Sequence, residues 1–145
     1  ITNAHKVNNG ENFINKNNEE DDDKLKDFFV INEKSQEKML YDVVSLCKER
    51  LKKYGDYDFF NNIQVLTPTK KGSLGTRELN KILQQNLNLN VKNEKGYGDR
   101  IFRVGDKVMQ TKNNYDIYWE KNINDKIEIG SGIFNGEFGI VSRNR

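Results

Sequence analysis

Basic, hydroxyl and glycine residues are concentrated in one segment, Thr67–Thr76, with the sequence TPTKKGSLGT, which we call the basic loop. Lys70 and Lys71 supply positive charge, and Gly72 and Gly75 let the backbone come close to a ligand. A following helix adds the partial positive charge and unpaired N–H groups of its N-terminus. These residue types favour a phosphate group or a nucleic-acid backbone as ligand. The alternative is an ordinary strand-to-helix connection whose glycines serve the turn, and spacing alone leaves both open.

The basic loop does not match the P-loop that binds nucleoside triphosphates. The P-loop pattern Gly-x-x-x-x-Gly-Lys-Ser/Thr has a longer gap between its glycines and a lysine directly before the hydroxyl residue. Gly72-Ser73-Leu74-Gly75-Thr76 has neither feature, and no Asp-Glu pair that ends a strand is evident for magnesium. We therefore expect this chain alone to hydrolyse no ATP and to hold no cofactor.

A second group of polar and aromatic residues follows at 113–119: Asn113, Asn114, Tyr115, Asp116, Tyr118 and Trp119. Amides can hydrogen-bond to bases, and aromatic rings can stack on them. The alternative is a polar loop whose aromatic side chains fold back as anchors. Further along, Asn135-Gly136 is a hairpin signal, which we interpret first as a turn.

Composition argues against metal and thiol chemistry. The 145 residues include one cysteine, Cys47, and one histidine, His5, too few for a zinc site of the usual kind or for an internal disulfide. The net charge is +2, from 24 basic and 22 acidic residues, so nucleic-acid binding needs local clustering of positive charge. The acidic run at 19–23 is interpreted as a solvated loop. Without a membrane-spanning run or a signal peptide, we expect no membrane partner and a cytoplasmic location.

Strands and helices alternate in the predicted elements that position the basic loop. Phe28–Ile31 and Ile63–Leu66 are short apolar runs typical of strands buried on both faces. Glu33–Lys53, with Cys47 on its apolar face, has apolar residues at three- and four-residue steps, which predicts a helix. Strand, helix and strand form a βαβ unit and hence a parallel sheet. A second amphipathic helix follows the basic loop, with a cap at Ser73 or Thr76 and one apolar face made of Leu79, Ile82, Leu83 and Leu87.

The last third is predicted to be a small antiparallel β module. Turn signals at Gly105-Asp106 and Asn135-Gly136 separate short apolar segments. A composition shift at 86–99 marks the boundary to this module. The stretch 113–132, between its two halves, is long and polar, so we expect it to be mobile.

Several of these segments stand in an order that resembles a known family. They are ITNAHKVN at 1–8, FF at 28–29, IQVLTP at 63–68, KGSLG at 71–75, LN at 79–80, LQ at 83–84, FRVGDKVMQ at 102–110, NNYD at 113–116 and FNGEFG at 134–139. Together they resemble the RecD-like helicases, superfamily 1 motors that include the exodeoxyribonuclease V alpha subunit. The resemblance spans essentially the whole chain, and the order of several long motifs makes it specific.

The resemblance implies an α/β fold in two parts. Residues 1–93 would be part of the second RecA-like motor domain (2A), a parallel sheet with flanking helices, and residues 100–145 would begin the inserted SH3-like β-barrel (2B). In such helicases single-stranded DNA runs across the tops of both motor domains, while ATP and Mg²⁺ bind in the cleft between them. The implied DNA contacts are Thr67, Lys70, Lys71, Gly72, Gly75 and Thr76 in the basic loop, and Asn113, Asn114 and Asn135 in the barrel.

The family's ATPase motifs are not in this sequence. Its P-loop and magnesium motif belong upstream, and the arginine that senses the γ-phosphate belongs downstream of the barrel. Because the sequence starts without Met and inside a helix that Gly10 stops, we expect an inactive piece of an ATP-dependent DNA helicase of DNA repair and recombination. Its expected partners are single-stranded DNA, the other motor domain of the parent chain and other exonuclease subunits. The insert Ile117–Gly132 departs from the compact link expected there.

The alternative function is a non-catalytic protein–protein interaction module in which the basic loop is only structural. A free-standing small enzyme is not supported, because the sequence offers one histidine, one cysteine and no convergent carboxylates.

Overall fold

The computed structural model describes residues 2–12 and 28–143. The chain divides into two compact units, Ile1–Met39 and Leu40–Arg145. The acidic run at 19–23 lies outside the described residues, so its interpretation stays a prediction. In the part that is described, no helix is both long and apolar enough to cross a bilayer.

Helix α1 (Thr2–Asn8) in the first unit is stopped by Gly10, as its sequence predicts. Gly10 has a φ of 75°, and its N–H donates to the Val7 carbonyl oxygen at 3.1 Å. A left-handed glycine after the last turn satisfies carbonyl oxygens that the helix itself leaves unpaired.

The apolar run Phe28–Ile31 does not form the strand that its composition predicts. Phe29 is 54% exposed and Ile31 50% exposed. A strand of a parallel sheet needs neighbours that cover both of its faces, and the described residues do not place such neighbours here. The prediction of a strand at Phe28–Ile31 is therefore wrong.

One long helical segment follows, as the spacing of its apolar residues predicts. It consists of α2 (Gln36–Ser45), a π-helical turn (Leu46–Arg50) and α3 (Leu51–Gly55). The helix ends at Gly55, and the next residue, Asp56, adopts the left-handed conformation, with a φ of 54°. Aspartate is among the few non-glycine residues that tolerate this region.

The core of the second unit is small and joins this helical segment to α4 (Thr76–Leu87). Its buried side chains are Cys47, Ile63 and Leu83, and the partly buried residues around them are Val43, Val44, Leu51, Phe59, Val65 and Leu87. Burial raises the pKa of the Cys47 thiol, because the thiolate is disfavoured away from water. Cys47 is therefore the core residue that the sequence predicts and a poor nucleophile.

Helix α4 has the apolar face that its sequence predicts, with Leu79 and Leu83 buried. Its N-cap is Gly75, without a side-chain hydrogen bond, rather than Ser73 or Thr76. A hydroxyl residue is not accommodated at the cap position, because the backbone of Lys71 occupies the place of a Cβ atom there.

The segment Ile63–Leu66 also forms no strand. Ile63 is buried, Leu66 is 86% exposed, and Lys107 Nζ donates to the Ile63 carbonyl oxygen at 2.9 Å. The Ile63 carbonyl oxygen thus accepts a hydrogen bond from a lysine side chain and not from the backbone of a neighbouring strand. All strand pairs in the described residues are antiparallel, so these residues do not form the predicted βαβ unit.

Antiparallel β structure fills the last third, which confirms the predicted β module. Three two-stranded sheets are formed: β1 (Glu94–Tyr97) with β2 (Arg100–Arg103), β3 (Lys107–Met109) with β6 (Phe138–Ile140), and β4 (Asn114–Ile123) with β5 (Lys126–Ile133). Asn135-Gly136 is the predicted turn, with the Glu137 N–H donating to the Phe134 carbonyl oxygen at 3.1 Å. It joins β5 to β6, however, and these strands pair with other partners rather than with each other.

The stretch 113–132, which we expected to be mobile, contains most of the β4–β5 hairpin. The tip of this hairpin is Asn124-Asp125, with φ values of 51° and 62°, as a type I′ turn requires. The alternation of Ile127 and Ile129 with polar residues in β5 is the sequence signal that indicates this strand.

Candidate nucleic-acid interface

Hydrogen bonds between its own residues fold the basic loop. Thr67 Oγ1 donates to the Leu74 carbonyl oxygen at 2.7 Å. The N–H of Thr76 donates to the Thr69 carbonyl oxygen at 3.0 Å. These two bonds connect the beginning of the loop to its end and hold its shape. They also engage the Thr67 hydroxyl and the Thr76 amide, two of the groups that the resemblance assigns to phosphate.

The two glycines of the basic loop serve different geometric needs. Gly72 has a φ of 88°, in the left-handed region that favours glycine. Gly75 is buried and has an ordinary φ of −79°. A Cβ atom on Gly75 would lie 2.5 Å from the carbonyl oxygen of Lys71, and the Gly75 N–H donates to the Gly72 carbonyl oxygen at 3.0 Å. Both glycines therefore serve the turn, whatever ligand the loop holds.

The cationic side chains of the basic loop and of the first turn of α4 are exposed. They are Lys70, Lys71 and Arg77. Arg77 Nη1 lies 3.9 Å from Asp99 Oδ2, whereas neither lysine takes part in a salt bridge within residues 2–12 and 28–143. The lysines stand next to the N-terminus of α4, whose dipole has the same positive sign. This part of the surface therefore attracts anions.

The structure brings Asn113 and Asn135 together at the base of the β4–β5 hairpin. The Asn135 N–H donates to Asn113 Oδ1 at 2.8 Å, and Asn113 Nδ2 donates to Tyr115 Oη at 3.2 Å. The Tyr115 ring meets the Phe134 ring edge to face, with centroids 5.8 Å apart. Asn114 Oδ1 accepts a hydrogen bond from the backbone N–H of Asp116 at 3.1 Å. The three asparagines thus shape turns, and whether they also contact DNA stays a prediction.

A polar cluster that the sequence analysis did not find joins α4 to the turn between β2 and β3. Its centre is Asp106. Asp106 Oδ1 accepts from Asn88 Nδ2 at 2.8 Å, while Oδ2 accepts from Gln84 Nε2 at 2.5 Å. Oδ2 also accepts from the backbone N–H of Arg103 at 2.8 Å. The Asp106 carboxylate therefore fixes the beginning of the β part against the end of α4.

Lys107, also missed by the sequence analysis, connects β3 to the segment that leads into the basic loop. Its Nζ donates to the carbonyl oxygens of Ile63 at 2.9 Å and Phe59 at 3.4 Å. The same ammonium lies 5.1 Å from the centre of the Phe138 ring and 5.8 Å from that of Phe59, within the range of a cation–π interaction. Its charge is thus used inside the protein, where it holds the segment that leads into the basic loop against β3.

The basic loop does not fit ATP and Mg²⁺. A P-loop offers successive backbone N–H groups to the phosphates, whereas the amides of Gly75 and Thr76 already donate within the loop. Over the described ranges, 2–12 and 28–143, no cluster of three or more His, Cys, Asp or Glu side chains could hold a metal ion.

Comparison with known protein families finds a match for the β part of the chain. Residues 79–144 match the family model of the ATP-dependent RecD-like DNA helicase SH3 domain. The match begins inside α4 and includes all six strands, so the antiparallel part of the chain is SH3-like, as the resemblance implies. The basic loop lies N-terminal to the matched residues. No solved structure matches the chain.

Proposed function

We propose that this chain belongs to an ATP-dependent RecD-like DNA helicase, of the kind that includes the exodeoxyribonuclease V alpha subunit, and holds single-stranded DNA through its basic loop. The observation that carries the proposal is the position of Lys70 and Lys71. Both are exposed on a loop of fixed shape, directly before a helix that leads into the RecD-like SH3 match.

In this proposal the lysines attract the DNA backbone and the rest of the loop positions them. The ammonium groups of Lys70 and Lys71 neutralise phosphates, which releases counterions and supplies most of the sequence-independent affinity. Thr67, Gly72, Gly75 and Thr76 keep the loop in the shape that presents these charges, as their internal hydrogen bonds support. Asn113, Asn114 and Asn135 are proposed as further, weaker contacts from the barrel.

Residues 1–93 are proposed as part of the second motor domain and residues 100–145 as the beginning of the inserted barrel. Phe29, Ile31 and Leu66 are exposed apolar residues at the places predicted for buried strands. Other parts of a complete motor domain would cover these exposed residues, which favours this placement. ATP hydrolysis would come from residues of the parent protein outside this sequence, so the loop holds and guides a strand that other parts move.

Replacing Lys70 and Lys71 together by glutamine is expected to weaken binding to oligo-deoxythymidylate. Two phosphate contacts on a single strand contribute about 1.4 to the slope of log affinity against log salt concentration, at about 0.7 per contact. We expect the slope to fall by about this amount. Fluorescence anisotropy between about 50 and 200 mM salt measures it.

Lys52→Gln/Lys53→Gln is the matched control, because Lys52 and Lys53 are also adjacent, exposed lysines, on α3. This variant has the same net charge and is expected to keep most of the original slope. Equal slopes for the two double variants would mean that the basic loop does not touch phosphate.

The second candidate function, a protein-interaction module, is favoured by one face of the β4–β5 hairpin. Tyr118 is 78% exposed and Ile129 is 70% exposed. Ile129 stands opposite Glu120, and Ile127 opposite Asn122, so Tyr118, Ile127 and Ile129 share a face. An exposed apolar stripe of this kind is typical of a surface that another protein covers.

The variant Tyr118→Ser/Ile129→Thr separates the two functions. If the basic loop binds DNA, this change should leave the affinity for oligo-deoxythymidylate within about twofold, because surface substitutions away from a contact change free energies by less than about 0.5 kcal/mol. The same anisotropy titration measures it. A loss as large as that of the Lys70/Lys71 variant would instead place the DNA on the hairpin.

A further inference from the structure

One face of the β1–β2 hairpin presents an aromatic ring between two cationic side chains. In the register of this hairpin Tyr97 is opposite Arg100, and Lys95 is opposite Phe102, so these four side chains lie on the same face. Tyr97 is 80% exposed, and Lys95 and Arg100 are exposed as well. We call this the Tyr97 face. The other face carries Arg103, whose Nη1 donates to the Asn88 carbonyl oxygen at 3.1 Å.

Contacts along α4 determine where the tip of this hairpin lies. Near the beginning of the helix, Arg77 Nη1 is 3.9 Å from Asp99 Oδ2. About two turns further along the helix, Gln84 Nε2 donates to the Ile101 carbonyl oxygen at 2.8 Å. After the end of the helix, a third contact joins Asn88 Nδ2 to the Val104 carbonyl oxygen at 3.0 Å.

These three contacts show that β2 runs beside α4 in the same direction. From residue 77 to residue 88 a helix advances about 16 Å, and from residue 99 to residue 104 a strand advances about the same distance. The turn Gly98-Asp99 is therefore at the N-terminal end of α4, where the basic loop ends. Through the Arg77–Asp99 contact, the tip of the hairpin that carries the Tyr97 face is thus placed at the end of α4 that the basic loop precedes.

We propose that the Tyr97 face continues the path of single-stranded DNA from the basic loop onto the SH3-like part. This inference rests on the proposed function of the loop and adds a second binding element to it. Arg100 and Lys95 would contact phosphates, and the ring of Tyr97 would stack on an unpaired base. An exposed aromatic ring flanked by cations suits a single strand, because the bases of a duplex are already stacked on one another.

The charges around the path favour a polyanion over an acidic or apolar protein segment. Lys70, Lys71, Arg77, Lys95 and Arg100 are the cations of the basic loop, the first turn of α4 and the Tyr97 face. Among the described residues, Glu78 lies in the first turn of α4 and Asp99 Oδ2 lies 3.9 Å from Arg77 Nη1. Glu94 is on the opposite face of the hairpin, 3.1 Å from Arg103 Nε. The alternating aromatic and cationic groups match the alternation of base and phosphate in a single strand.

Tyr97→Leu is the first test, with oligo-deoxythymidylate that carries one 2-aminopurine as the probe. Loss of one stacked base should weaken binding at least about fivefold, and the quenching of 2-aminopurine fluorescence by the protein should decrease. Tyr97→Phe should restore both signals, because phenylalanine keeps the ring. Tyr41→Leu is the control, since Tyr41 is a similarly exposed tyrosine, on α2.

Arg100→Gln is the second test and reports phosphate contact. It should lower the salt slope by about 0.7, the share of one phosphate on a single strand. Arg143→Gln, at another exposed arginine, should not. Both substituted side chains are exposed, so the variants should fold like the original chain, which circular dichroism checks.

The outcomes distinguish this inference from the function on which it rests. If Tyr97→Leu and Arg100→Gln behave like their controls while the Lys70/Lys71 variant loses affinity, the loop binds DNA and the proposed path is wrong. If the original chain does not bind the oligonucleotide at all, both proposals are overturned. If duplex DNA competes as well as single-stranded DNA, base stacking on Tyr97 is refuted.

Discussion

Asp106→Ala should lower the free energy of unfolding by about 2 to 3 kcal/mol, because hydrogen bonds to a charged acceptor contribute about 1.5 to 3 kcal/mol when they are shielded from water. The carboxylate accepts from the side chains of Gln84 and Asn88 and from the Arg103 backbone. Gln84 and Asn88 keep other acceptors, the carbonyl oxygens of Ile101 and Val104. The loss is therefore less than the sum of three separate bonds, although the Arg103 N–H loses its Asp106 acceptor.

Urea unfolding followed by circular dichroism measures this loss. Amide hydrogen exchange at Arg103 should accelerate as well, because its N–H then opens to solvent more often. Asp116→Ala is the control, since Asp116 is an exposed aspartate of β4. Asp106→Asn keeps one acceptor oxygen, so its free energy of unfolding should lie between those of Asp106→Ala and Asp116→Ala. If Asp106→Ala were as stable as the control, the cluster would not connect α4 to the β part.

The helices and the turn signals were predictable because their causes are local. Apolar residues three and four positions apart indicate α4 and the segment 36–55, and the residues of these faces are those that pack in the core. Gly10 and Gly136 adopt positive φ where their sequence context predicts a helix end and a turn. Such signals depend on a few neighbouring residues and do not require the rest of the fold.

The strands were harder to predict because pairing depends on distant residues. Phe28–Ile31 and Ile63–Leu66 have the composition of buried strands, but composition does not provide the neighbouring strands that a parallel sheet needs. The β4–β5 hairpin was overlooked because its turn, Asn124-Asp125, lacks the glycine of the commonest signal. Its polar strands also differ from the apolar runs that first indicate β structure.

The residue types of the candidate site were found from sequence, whereas their hydrogen bonds were not. Lys70 and Lys71 are exposed, as a phosphate-binding role requires. The Thr67 hydroxyl and the Thr76 amide turned out to donate inside the loop. Asp106 and Lys107 were missed because their side-chain contacts reach distant residues, 18 and 22 residues from Asp106 and 44 and 48 residues from Lys107. No local pattern indicates such contacts.

Gly75→Ala is the substitution expected to disturb the basic loop most. The new Cβ atom would lie 2.5 Å from the Lys71 carbonyl oxygen and 2.7 Å from the Lys71 nitrogen. These are backbone atoms, so no side-chain rotation relieves the overlap. Overpacking of this kind costs about 1 to 3 kcal/mol, and it should displace Lys71 together with the start of α4. We therefore expect both stability and affinity for oligo-deoxythymidylate to fall.

Gly96→Ala is the control, because a Cβ atom at Gly96 meets nothing within 4 Å and its φ is not positive. Thermal unfolding and the anisotropy titration, performed on the same samples below the unfolding transition, measure the two effects. The Lys70/Lys71 variant should lose affinity with little change in stability, since both side chains are exposed, whereas Gly75→Ala should lose both. If Gly75→Ala lost stability but bound DNA as well as the original chain, the shape of the loop would not matter for binding. The lysines would then act only as flexible charges.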